Sequence, residues 1–109
     1  MYLFGFKGRA ERVLIQHFAY PLNSLNAPIF AGICRQAKSF GANEYDAAIL
    51  FMLVQMNALT PHLDSIKAQS FIEEKSERMS RIAYKSSRPS QEWVQTLNEI
   101  RERHGLSVV

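Results

Sequence analysis

The sequence predicts an all-α protein, a compact bundle of about five helices around a buried central helix at 43–59. Three observations carry this expectation. The run 47–59 holds no charged side chain and is almost wholly apolar, and an apolar helix without a clear polar face belongs inside a protein. Four other segments repeat apolar residues at the helical spacing of i, i+3, i+4 and i+7. No stretch of any length alternates apolar and polar residues as a half-buried strand does, and helices with short connections build bundles.

The central helix has its own punctuation. Asn43 is a good N-cap, and Glu44 and Asp46 fall in the first turn, where carboxylates suit the positive end of a helix. Thr60-Pro61 closes it, because a residue before proline is driven out of helical dihedrals.

Around that helix the chain runs as follows. Residues 1–8 carry three aromatics and two glycines; glycine disfavours a helix, so the stretch reads as a short extended aromatic arm. The first helix covers 9–20, with a stripe of Ala10, Val13, Leu14, His17 and Phe18, and Pro21 stops it. The second opens at Asn26 or Ala27 with Pro28 in its first turn. Its stripe is Ile29, Phe30, Ile33, Cys34, Ala37 and Phe40, and Gly41 ends it.

A fourth helix is expected over 61–86, capped by Thr60. Its stripe is Ile66, Ala68, Phe71, Ile72, Met79, Ile82 and Ala83, interrupted by Lys75 and Ser76. Glu74–Arg78 and Glu77–Arg81 are i,i+4 pairs in the favourable order. Ser87-Arg88-Pro89 breaks the chain, and Ser90 caps a fifth helix to residue 103 with Trp93, Val94, Leu97 and Ile100 on its stripe. Gly105 ends that helix and 106–109 is a short tail. The 109 residues form one domain over 1–109.

The residues point away from catalysis and cofactors. His17, His62 and His104 are far apart, and none pairs with a carboxylate at metal-ligand spacing. Cys34, the single cysteine, lies on an apolar face, where a thiol behaves as a small hydrophobe. It cannot form a disulfide within the chain, which favours a reducing compartment. No glycine-rich phosphate loop is present. Lys7, Arg9, Glu11 and Arg12 break up the first twenty residues, which therefore carry no secretion signal. The central helix is too short for a membrane span. The expected location is the cytoplasm, with no catalytic, cofactor or metal residue and no membrane contact.

What remains is binding. A continuous helix over 61–86 would be about 39 Å long, longer than the roughly 34 Å diameter of a compact domain of this size. Its end would overhang and expose Met79, Ile82, Ala83 and Tyr84. Burying that stripe against a second copy makes a homodimer, and a non-enzymatic interaction and self-association protein is the leading expectation, with another protein as the other partner. The competing arrangement is that the fifth helix folds back and covers the stripe within one chain.

The alternative function is a nucleic-acid-binding regulator. The net charge is +3 and the pI about 9.2. Arg78, Arg81 and Lys85 share a helix face, so they supply phosphate contacts without sequence preference. The spacing of small, glycine and apolar residues over 36–47 also has the form of a degenerate helix-turn-helix, whose reading end would be Asn43, Glu44, Tyr45 and Asp46, then Ala48 and Ile49.

Overall fold

The structure, a computed structural model, describes residues 5–87 and 90–109. Five helices follow one another: α1 (Phe6–Phe18), α2 (Ala27–Ser39), α3 (Glu44–Leu59), α4 (Ser65–Ile82) and α5 (Ser90–Arg103). No described residue lies in a strand, so the all-α bundle holds. α3 packs against all four other helices, and Ala47, Ala48, Ile49, Phe51, Met52 and Met56 are wholly buried. The Phe51 ring meets Phe30 edge-on at 5.1 Å and Tyr20 at 6.0 Å, a geometry that suits the aromatic quadrupole.

The caps do what their residues dictate. The Asn43 side chain accepts from the N–H groups of Tyr45 and Asp46 at 3.1 and 3.0 Å, and Asp46 accepts from the Asn43 N–H at 3.0 Å. This reciprocal box satisfies donors the helix cannot pair itself. Gly41 and Gly105 both take φ of 76°, and beyond each the chain bonds back five residues, Ala42 to the Ala37 carbonyl and Leu106 to that of Arg101, both at 2.9 Å. Such a C-terminal stop favours glycine.

Several boundaries differ from the sequence-based expectation. α1 starts at Phe6, so residues 6–8 are helical, not part of an extended arm; positions 1–4 of that arm lie outside the described residues. Gly5 stands outside the helix as its extended N-cap, with φ of −79°, where its propensity cost does not apply. Thr60-Pro61 does not open α4. The chain makes a 3-10 turn, Thr60–His62, and Asp64 caps α4 instead, accepting from the Lys67 N–H at 2.9 Å. α4 then ends at Ile82 and passes into a second 3-10 turn, Ala83–Lys85. An 18-residue helix is about 27 Å long, which fits within a molecule of 41 × 31 × 21 Å. The overhang therefore does not arise.

The stripe assignments need corrections too. Ile66 is 75% exposed, because Asp64 moves the start of the helix and leaves Ile66 in an outward first turn. Lys75 and Ser76, which interrupt the apolar stripe in sequence, lie inside the buried face. Lys75 reaches the end of α1. Its Nζ donates to the Phe18 carbonyl at 2.9 Å and lies 5.5 and 5.7 Å from the Tyr20 and Phe71 rings. Arg78 donates to the next carbonyl, His17, at 3.2 Å. These carbonyls carry the negative end of the α1 dipole, where cations are favourable.

Arg101 does similar work at the other end. Its guanidinium lies 2.6 Å from Glu73 Oε1, donates to Ser76 Oγ at 3.1 Å, and donates to the Ser107 carbonyl at 2.6 Å. It thereby joins α4, α5 and the tail. A buried cation needs such a full set of acceptors to offset its lost hydration.

Candidate interaction surface

The expected dimer stripe is used up inside the chain. Met79 and Ile82 are buried in the same hydrophobic cluster as Trp93, Leu97 and Ile100 of α5. Of the four residues assigned to an interface, only Tyr84 is fully on the surface; Ala83 is half-buried. The competing arrangement, α5 folding back onto α4, is the one observed.

The basic residues of α4 are also engaged. Arg78 binds Glu74 at 3.0 Å and Arg81 binds Glu77 at 2.6 Å. The neighbouring Lys75 and Arg78 outweigh the effect of partial burial and hold the Glu74 carboxyl below its ordinary range. Lys85 lies over the Tyr45 and Tyr84 rings at 5.1 and 5.7 Å, and the Tyr45 hydroxyl is the main influence holding its ammonium above the ordinary lysine range. Arg88 lies outside the described residues.

The helix-turn-helix positions are closed over. Ala48 and Ile49 are fully buried, and Asp46 nearly so. Asn43 Nδ2 donates to the Lys85 carbonyl at 2.8 Å. Asp46 accepts from Ser86 Oγ, Ser87 Oγ and the Ser87 N–H. Burial alone would raise the Asp46 carboxyl, but the bonds from Ser86, Ser87 and the Asn43 and Ser87 amides outweigh it and hold it below its ordinary range. The segment after α4 is thus fastened across the N-terminus of α3, and no free end remains there to enter a DNA groove.

Cys34 is buried, and its thiol is pushed up to about 11, chiefly by burial; Lys7 lowers it and Glu11 raises it. Against the ordinary thiol value of 9.0, that leaves roughly 100-fold less thiolate at neutral pH. A thiol reagent should therefore label native protein at least about 100-fold more slowly than the same protein in denaturant. Comparable rates in the two states would show the thiol to be exposed. Among the described residues no group of histidine, cysteine, aspartate and glutamate side chains is placed to hold a metal ion. No described helix is long and apolar enough to cross a membrane.

What the structure brings together instead is an apolar groove. Its volume is about 390 Å³. α2 supplies Ile33 and Ala37 and its C-cap Phe40, α3 supplies Leu50, Leu53 and Val54, and α5 supplies Trp93 and Thr96, with Gln36, Asp46, Asn57 and Glu92 as the polar members of the lining. Phe40, expected in the core, is 73% exposed, and Leu50 and Val54 are each 41% exposed. Asn57, Ala58 and Leu59 are exposed as well. α3 is therefore not enclosed on every side. The face carrying Leu50, Val54 and Ala58 at i, i+4 and i+8 looks outward with no charge on it. Trp93 also lines a second cleft, of about 680 Å³, between α4 and α5, and so walls off one from the other. Its indole N–H is buried without an acceptor among the described residues.

The groove escaped the sequence reading because α3 has no polar stripe to mark its outer side. Gln55 is buried, accepting from the Tyr20 hydroxyl at 2.8 Å, while Asn57 is exposed. The polar residues therefore fall on both sides of the helix. Compared with protein-family models, curated proteins and solved structures, the chain matches none of them.

Proposed function

We propose that the protein is a self-associating interaction protein whose contact surface is the face of α3 and the groove beside it. The observation that carries this is an outward helix face made of Leu50, Val54 and Ala58, continued by Phe40. A surface helix ordinarily turns charged and polar side chains to water; this one turns aliphatic ones. The occupant is a second copy, because the whole of 47–59 is uncharged. In a two-fold contact each residue near the axis meets its own counterpart. A charge there would face a like charge, and the outward face of Leu50, Val54 and Ala58 brings none. Apolar side chains removed from water contribute about 25 cal/mol for each Å² covered, and the exposed parts of Phe40, Leu50 and Val54 count twice in a symmetric pair.

Light scattering on the intact chain over a concentration series tests this. The wild type should pass from monomer to dimer. Val54→Glu should remain monomeric at concentrations where the wild type is paired and keep its helical circular dichroism, because residue 54 is open to water in the single chain. A wild type that stays monomeric throughout, or a Val54→Glu protein that pairs as well as the wild type, would refute it.

A further inference from the structure

We propose that the outer surface of the α1–α2 hairpin binds the phosphate backbone of nucleic acid through Lys7, Arg12, Arg35 and Lys38. The charge of the chain is unevenly placed. Residues 1–43 contain Lys7, Arg9, Arg12, Arg35 and Lys38 against Glu11 alone, a net +4, while residues 44–109 carry eight cations and nine carboxylates, a net −1; together they make the chain's +3. All five hairpin cations are exposed.

The two halves also use their cations differently. The pairs Lys75–Glu74, Arg78–Glu74 and Arg81–Glu77 join side chains of α4, and Arg101–Glu73 joins α5 to α4; Lys75, Arg78 and Arg101 are further tied to backbone carbonyls. Lys7, Arg12, Arg35 and Lys38 enter none of those bridges. Lys7 of α1 lies close enough to α2 to act electrostatically on Cys34, as does Glu11 one turn on, which puts both at the seam of the hairpin and leaves Glu11 as the one carboxylate among its five cations. Arg35 and Lys38, at i and i+3, share a side of α2.

A polyanion complements such a surface. A lipid headgroup layer fits less well, because an interfacial helix must also offer an apolar face to the acyl boundary. Here most of that face is spent on the core, in Val13, Leu14 and Phe18 of α1 and Phe30 and Cys34 of α2, and the apolar residues the hairpin leaves exposed, Ile15, Leu25 and Ile29, lie toward its turn and not with Lys7 and Lys38. Guanidinium groups further suit phosphate, since each presents a planar fork of donors. The assignment is independent of self-association, which uses α3 and the opposite edge of α2.

The test uses the intact chain and fluorescein-labelled 20-base-pair duplexes of two unrelated sequences. Four phosphate contacts imply a slope of log affinity against log salt of about −3.6, hence a loss of roughly 150-fold between about 50 and 200 mM salt. Both duplexes should bind equally. The Lys7→Glu/Arg12→Glu/Arg35→Glu/Lys38→Glu protein should lose binding, and Arg35→Gln/Lys38→Gln, a milder change, should lower the slope by about 2. Arg81→Glu/Lys67→Glu, on α4, should bind within about twofold of the wild type, and vesicles of anionic phospholipid should not retain the protein. Absence of duplex binding at low salt overturns the proposal. So does binding that survives the folded hairpin variants, binding lost through the α4 variant, or retention by vesicles in preference to duplex.

Discussion

Ile82→Glu should leave the chain without a cooperative unfolding transition. Ile82 is 2% exposed and belongs to the cluster that joins α4 to Trp93, Leu97 and Ile100 of α5. An ionised carboxylate there would lose its hydration with no partner, at an effective cost of several kcal/mol. The isoleucine's own burial, worth about 1.5–3 kcal/mol, would go as well. A domain is stable by about 5–15 kcal/mol in all, so the two losses together approach the whole. Urea unfolding followed by circular dichroism at 222 nm should show a broad slope in place of a sigmoid. A sharp transition with near-native midpoint would mean that residue 82 faces outward.

Asp46→Ala should lower the stability by about 2–4 kcal/mol, since it removes half of a capping box and several bonds to a charged acceptor. In thermal unfolding this is a fall in Tm of roughly 10–20 °C. The same carboxylate sets an acid limit. Its pKa is depressed in the folded state, so the unfolded chain takes up the proton first as pH falls. The contribution is fully present above the unfolded value of about 3.9 and drains away as pH drops through the folded value. Wild-type stability should therefore fall in that window, and Asp46→Asn should flatten the fall. An unchanged acid profile in Asp46→Asn would assign the acid sensitivity to other carboxylates.

The difference between these two sites also says what the sequence could reveal. Ile82 was legible as an apolar position because the helical period places it with Met79 and Ala83. Whether its cover came from a second copy or from α5 depended on where α4 stops, and no proline or glycine marks that stop. Asp46 was legible as a first-turn carboxylate through its distance from Asn43. Its bonds to Ser86 and Ser87 join positions forty residues apart, and no local pattern announces them. The same limit hid the roles of Lys75 and Arg101, since a cation in a helical stripe looks like a break until its acceptors are known. The groove was hidden for the reverse reason. Phe40, Leu50 and Val54 have core chemistry, and only the placement of the other helices leaves them uncovered.

The bonds from Lys75 and Arg78 to the carbonyls of Phe18 and His17 span 57 and 61 residues of chain. Helix ends ordinarily open and close on their own, far more often than the molecule unfolds. The last turn of α1 lacks that freedom, because its carbonyls cannot let go without leaving a buried ammonium, held between two aromatic rings, with Glu74 as its one remaining acceptor among the described residues. α1 and α4 are therefore one opening unit, although more than half of the chain separates the two helices where they join. A disturbance of either helix is inherited by the other before the rest of the bundle registers it.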